Sequence, residues 1–203
     1  MKNIIIIFIV SIVITIPARA QKMHNLYGIS WELAFPTGNF VKETSFSGGK
    51  FEYRHFVKPN FSLGGTISWN NYEEYVEKQT YENANQSAAV TTDNQRFIFN
   101  LPVTVDGFYY LGGSHQMFQP YVGIGIGAQY SAQEVYYNIY VTDDNNWGFV
   151  ARPQIGALVK FSEMNNTRFL IGAGYNYSTN KNESFRIDNF QNFWVSIGVS
   201  FVN

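Results

Sequence analysis

Residues 192–201 read Asn192-Phe193-Trp194-Val195-Ser196-Ile197-Gly198-Val199-Ser200-Phe201. Phe193, Val195, Ile197, Val199 and Phe201 alternate with Trp194, Ser196, Gly198 and Ser200, so one face is apolar and the other small or polar. Successive side chains of a strand point to opposite faces, and a sustained period of two is the mark of a strand with two different surroundings. The pattern recurs upstream. Val122, Ile124, Ile126, Ala128 and Tyr130 alternate with Gly123, Gly125, Gly127 and Gln129, and Phe169, Ile171, Ala173, Tyr175 and Tyr177 with Gly172, Gly174, Asn176 and Ser178. Phe97, Phe99, Leu101, Val103 and Val105 oppose Arg96, Asn100, Thr104 and Asp106, while Phe61, Leu63, Gly65, Ile67 and Trp69 oppose Ser62, Gly64, Thr66 and Ser68.

Counted along the chain, these patterns predict strands at roughly 25–35, 47–57, 60–72, 94–110, 118–131, 147–161, 167–178 and 191–202, good to a few residues at each end. The gaps hold about 11, 2, 21, 7, 15, 5 and 12 residues, so long and short connections alternate. An up-and-down meander with long loops at one end and tight turns at the other produces that alternation. Outer-membrane barrels have an even strand number, strands of about ten residues, short periplasmic turns and longer outer loops. The predicted fold is therefore all-β, an eight-stranded antiparallel up-and-down transmembrane β-barrel, with its first, third, fifth and seventh connections facing outward.

Composition agrees with a chain not surrounded by water alone. Of 203 residues, 18% are aromatic and only 14% charged, with 17 glycines, no cysteine and a net charge of −1. The near-neutral balance excludes a nucleic-acid partner, and the missing cysteines exclude disulfides, thiolate metal sites and a thiol nucleophile. Lys2, the apolar stretch Ile4 to Ile16 and the Ala18-Arg19-Ala20 site form a signal-peptide pattern, too short to span a bilayer. Residues 1–20 are expected to be a cleaved signal peptide, and 21–203 the barrel.

The polar faces decide which side meets lipid. They are rich in Gly and Ser and carry both signs of charge: Glu32, Lys50, Glu52, Arg54, Arg96, Asp106, Arg152 and Lys160. The interior of an eight-stranded barrel is just wide enough to be filled by side chains. Small residues beside a few long, opposite charges fit that interior, and a water-facing sheet would carry fewer glycines. The apolar faces are thus expected to point outward to outer-membrane lipid. Phe108, Tyr109, Tyr110, Phe118 and Tyr121 would form the periplasmic aromatic rim, and Trp69, Tyr72, Tyr130 and Trp147 the outer one. Pro102 and Pro153 fall inside strands, where each is expected to mark a bulge.

Leu101-Pro102-Val103-Thr104-Val105, Gly107-Phe108-Tyr109-Tyr110 and Gln119-Pro120-Tyr121-Val122-Gly123-Ile124-Gly125-Ile126-Gly127-Ala128 follow one another. With Phe35-Pro36-Thr37-Gly38-Asn39-Phe40 and the closing strand, this order resembles the small outer-membrane barrels of the OmpA, OmpW and opacity-protein type. The resemblance covers residues 25–203 and implies architecture more than activity. It also implies that the last strand is read by the barrel-assembly machinery during insertion.

For chemistry, the histidines His24, His55 and His115 are expected near the periplasmic end, and none follows His115. A lipid-modifying enzyme would need His, Ser and acidic residues together on late strands or outer loops. Asp143-Asp144-Asn145-Asn146 lacks the central glycine and later acid of a calcium loop. No enzyme activity, cofactor or metal is expected. In the lumen, Glu32 and Glu52 are expected to pair with Arg54, Arg96 and Arg152 as a plug, since unpaired charges there would be costly. The third connection, with Glu73 and Glu74, and the fifth, with Asp143 and Asp144, are the candidate binding loops for a surface ligand or envelope protein. The expected role is structural, adhesive or surface-binding; the alternatives are a narrow pore or small-solute transporter, and an accessory subunit of a secretion complex.

Overall fold

The structure, a computed structural model, describes residues 25–38, 41–82, 89–111, 117–137, 140–160, 166–181 and 189–203. The predicted signal peptide, His24 and His115 lie outside the described residues. The strands are β1 (Asn25–Pro36), β2 (Ser45–Lys58), β3 (Phe61–Glu82), β4 (Ala89–Tyr110), β5 (Phe118–Tyr137), β6 (Tyr140–Lys160), β7 (Thr167–Ser178) and β8 (Phe190–Val202). Each pairs antiparallel with the next, and β1 closes the ring on β8 from Leu26↔Val202 to Pro36↔Asn192. The fold is an eight-stranded antiparallel up-and-down barrel.

Alternation sets the sidedness as the sequence predicts. On β8 Phe193, Val195, Ile197 and Phe201 are exposed on the outside, while Trp194, Ser196 and Ser200 are buried within. On β5 Val122, Ile124 and Ile126 face out and Gln129 faces in. A soluble protein would not leave so continuous a belt of large apolar side chains uncovered. In a barrel of this kind the belt is the lipid-facing surface.

Three features differ from the sequence expectation. Long connections are largely replaced by long strands: β3 and β4 have 22 residues each, β5 has 20 and β6 has 21, against 12 to 14 for the other four. Only residues 83–88 separate β3 from β4, and only 138–139 separate β5 from β6. The asymmetry between the barrel ends is real, but it is built by hydrogen-bonded hairpins.

The prolines produce no bulge. Around Pro102 the β3–β4 register continues unshifted from Ile67↔Val103 to Asn70↔Asn100, with only the intervening pairs missing. Around Pro153 the β6–β7 ladder skips in the same way between Ala151↔Tyr177 and Gln154↔Gly174. A strand residue donates its amide to one neighbour only, so each proline interrupts a single ladder, and Pro102↔Gln129 and Pro153↔Ile124 remain paired on the other side.

The aromatic rims are also split by alternation. Tyr109 and Phe118 face out, whereas Phe108, Tyr110 and Tyr121 turn inward and pack with Leu26, Leu158 and Leu170. At the other end Trp147 faces out beside Tyr130, with ring centroids 5.4 Å apart, and Tyr72 is buried with Ala34, Val41, Ile98, Phe190 and Trp194. Phe108, Tyr110 and Tyr121 at one end and Tyr72 at the other therefore belong to apolar layers across the lumen and not to a girdle.

Candidate functional site

Two places concentrate the candidate side chains: the middle of the lumen and the hairpins above it. Between the apolar layers, Glu32 on β1 is fully buried and accepts from Arg152 Nη2 on β6, at 3.0 Å to Oε1 and 2.9 Å to Oε2. Asn70 Nδ2 on β3 donates to the same carboxylate at 2.9 Å, and Arg152 Nη1 donates to Ser68 Oγ. The Arg152 guanidinium also lies 4.8 Å from the Trp194 ring centroid. These contacts join walls that are not neighbours in the ring.

Glu52 forms the second centre. It pairs with Arg54 at 2.7 Å and with Lys50 at 3.2 Å, all three side chains being buried. Arg54 lies against two rings, 3.7 Å from the Phe108 centroid and 4.2 Å from that of Tyr121, and Nη1 donates to the Tyr110 hydroxyl at 3.1 Å. Lys50 Nζ donates to Ser196 Oγ at 3.2 Å. Asp106 accepts from Thr104 Oγ1 at 3.1 Å and from Gln154 Nε2 at 3.3 Å. The formal charges of Lys50, Arg54 and Arg152 balance those of Glu32, Glu52 and Asp106, which suits a desolvated interior. Glycines supply the room: a Cβ on Gly28 would meet Glu52 Cγ at 2.8 Å, and one on Gly123 would meet Phe108 Cδ1 at 2.6 Å.

Of the five lumen residues singled out in the sequence, the structure joins Glu32 to Arg152 and Glu52 to Arg54. Arg96 stands elsewhere. It is half-buried on β4, beyond Asn100 toward the outer end, with Glu74 and Val135 as its strand neighbours, and its Nε donates to Asn94 Oδ1 at 3.2 Å. Lys50 takes the position beside Glu52 instead. Lys50, Glu52 and Arg54 are alternate residues of β2, so their inner-face contact follows from the period of two, whereas Arg152 reaches Glu32 across the lumen. His55, on β2, has Nδ1 2.8 Å from Asn25 Oδ1 and so ties β2 to the start of β1.

Glu73, Glu74, Asp143 and Asp144 are not loop residues. The first two lie in β3 and the others in β6, within the extended hairpins. Alternation then splits each pair. Glu74 is on the inner side and accepts the Lys42 amide at 2.5 Å, fastening the first connection to β3. Asp144 shares that inner side by register. Glu73 and Asp143 are on the outer side, in one cross-strand row: Glu73↔Phe97↔Glu134↔Asp143. The next row outward is Tyr75↔Gln95↔Tyr136↔Val141. Gln95 Nε2 donates to Glu73 Oε1, the Tyr136 hydroxyl to Glu134 at 2.9 Å, and the Tyr75 hydroxyl to Asp93 at 3.0 Å. Hydrogen bonding to Asp93 holds the Tyr75 phenol above its ordinary pKa, with the charge of Glu77 adding to it. The bond to Glu134, with Asp143 nearby, does the same for Tyr136. Sequence reasoning missed Glu134 as a neighbour of Phe97 and Asp93 as one of Tyr75, because each pair meets across strands and not along the chain.

These hairpins form one sheet. β2 pairs with β3 only as far as Gly49↔Trp69, and β6 with β7 only as far as Val150↔Ser178. Beyond those points β3, β4, β5 and β6 remain hydrogen-bonded to one another as a protruding four-stranded sheet.

No family model and no curated protein matches the chain. Solved outer-membrane barrels do match its fold. The attachment invasion locus protein Ail of Yersinia pestis aligns at 11% identity and a TM-score of 0.50, covering 89% of this chain and 97% of that one. The outer-membrane protein OprG from Pseudomonas aeruginosa aligns at 12% identity and a TM-score of 0.50, covering 89% and 95%. The outer-membrane protease OmpT from Escherichia coli aligns at 7% identity and a TM-score of 0.50, covering 91% and 98%. The chain thus has the fold of the small outer-membrane barrels. A fold shared by an attachment protein and a protease does not decide between binding and catalysis.

Proposed function

We propose that this protein is a non-enzymatic barrel of the bacterial outer membrane that recognises a partner at the cell surface through its protruding sheet. The observation that carries the reading is the continuation of β3 to β6 as a paired sheet after β2 and β7 have left it. Strands of about ten residues suffice to cross the membrane, so β3 and β4, at 22 residues each, project far beyond it. A rigid platform on a membrane anchor can present side chains in fixed geometry at little entropic cost to binding. The filled lumen argues against a conduit, because apolar layers lie above and below a paired charge layer.

The test replaces residues 73–97 and residues 133–144 each by Asn-Gly, so that a two-residue turn joins Tyr72 to Ile98 and Ala132 to Asn145, which already pair across the ladder. Fractionation and heat-dependent gel mobility should find both forms folded in the outer membrane. Cells displaying the wild-type chain should adhere to protein-coated surfaces, and cells displaying the shortened chain should not. Equal adhesion by the two, or a freely soluble mature protein, would overturn the proposal.

A further inference from the structure

The outer side of the protruding sheet holds a groove of about 440 Å³, lined by Phe97, Phe99, Tyr136, Ala132, Glu73 and Glu134. The Phe97 and Tyr136 rings meet edge to face with centroids 5.6 Å apart, so the groove wall is aromatic and ordered by its own contacts. Glu73 and Glu134 flank Phe97 directly across the strands. Asp143 continues the row on β6, and Asp93 is held on the same side by Tyr75. At the outward positions of 71–75, 93–99, 132–136 and 141–145 there is no Lys or Arg. The ion pairs of Lys50, Arg54 and Arg152 are in the lumen and engage none of these four carboxylates. The inner side of the same strands differs, because it carries Arg96 along with Glu74 and Asp144, while Lys78 falls in the register shift of β3 between Val76 and Gln79.

An aromatic wall between carboxylates selects cations. Ring faces attract ammonium and guanidinium groups, and a carboxylate at the end of the wall receives the charged head. Guanidinium suits such a place better than ammonium, because it stacks on rings and bonds carboxylates through a planar fork.

We propose that this groove docks a basic segment of a partner protein, with Arg side chains lying against Phe97, Phe99 and Tyr136 and their heads at Glu73 and Glu134. The inference rests on the protruding sheet being a recognition surface and names the chemistry of what it recognises. Polypeptide is favoured over a lipid amine by reach. From the row of Asn71 to that of Tyr75 and on to Asp93, the outer face extends about 13–20 Å along the strands. The headgroup layer on each side of the hydrocarbon is only about 5–8 Å deep. A lipid would contact the lowest row, whereas a polypeptide can follow them all.

The experiment uses the full barrel in phosphatidylcholine nanodiscs and fluorescent hexa-arginine, hexa-lysine and hexa-glutamate peptides, read by anisotropy. Hexa-arginine should bind best and hexa-glutamate not at all. The Glu73→Gln/Glu134→Gln pair should weaken hexa-arginine binding about tenfold, as expected for two partly screened ion pairs. The Glu74→Gln/Asp144→Asn pair makes the same change in net charge on the inner side and should leave affinity within about twofold. Phe97→Leu keeps apolar volume, removes the ring, and should weaken hexa-arginine more than hexa-lysine. Equal losses from the two carboxylate pairs would mean that bulk charge alone acts and would overturn the proposal. So would wild-type protein that ignores hexa-arginine, or phosphatidylethanolamine in the disc displacing the peptide completely. If the peptide fails while the shortened chain still loses adhesion, this inference falls and the recognition reading stands.

Discussion

Replacing Arg152 by Met tests whether the lumen is a sealed, dry layer. Glu32 is fully buried and takes two of its hydrogen bonds from Arg152 Nη2; after the substitution Asn70 Nδ2 is its remaining donor among the contacts described above. Ser68 Oγ loses its donor and Trp194 loses the cation on its face. Removing one partner of a buried pair typically costs about 3–5 kcal/mol, because the other charge is left uncompensated. Replacing both partners by apolar groups of similar volume is often nearly neutral. Arg152→Met should therefore lower stability by about 3–5 kcal/mol, while Glu32→Leu/Arg152→Met should cost less than Arg152→Met alone. Urea unfolding in phospholipid vesicles, followed by tryptophan emission and extrapolated linearly, measures both. In a water-filled lumen the orphaned carboxylate would be solvated, and the loss would fall to about 1 kcal/mol or less. That small loss, or a double variant equal to the sum of the singles, would refute the reasoning.

Planar-bilayer recordings should show no discrete conductance for the wild type or for Arg152→Met. Apolar layers around Tyr110 and Tyr121 at one end and Tyr72 and Phe190 at the other remain closed when the middle layer is broken; stepwise currents from either protein would count against this. Lipid-borne quenchers should darken Trp31 and Trp147, which are 49% and 64% exposed on the outer wall, and spare Trp194, which is 1% exposed inside it. Variants retaining one tryptophan each make that comparison, and quenching of Trp194 would reverse the sidedness. Pro153→Val should restore an amide opposite β7 on the lipid-facing side and raise stability by about 1 kcal/mol, with an unchanged or lower unfolding midpoint as the contrary result.

The barrel could be read in the sequence wherever its two faces meet different surroundings. Phe193 to Phe201 on β8 and Val122 to Ala128 on β5 separate lipid from lumen, and selection for each environment imprints the period of two. Above the membrane that contrast fades. Glu73-Glu74-Tyr75-Val76-Glu77-Lys78 continues β3, yet polar residues occur on both sides, so hydropathy marks no strand there. Backbone pairing persists without it, because a hairpin already in register can extend its ladder residue by residue. The contacts of Glu52 with Lys50 and Arg54 follow from alternation along β2, but the partners across the lumen were not readable, since Glu32 finds Arg152 across the ring while Arg96, equally placed by pattern, lies beyond Asn100. The acidic doublets show the same limit from the other side. Glu73-Glu74 and Asp143-Asp144 look like units along the chain, but in a strand sequence neighbours are on opposite faces. Their neighbours on the same face lie across the ladder instead. Glu73, Phe97, Glu134 and Asp143 come from four strands, and only the register of three pairings brings a ring between carboxylates. The rule that makes the membrane wall easy to read therefore hides the proposed recognition face, because a site built across strands appears in no contiguous stretch of sequence.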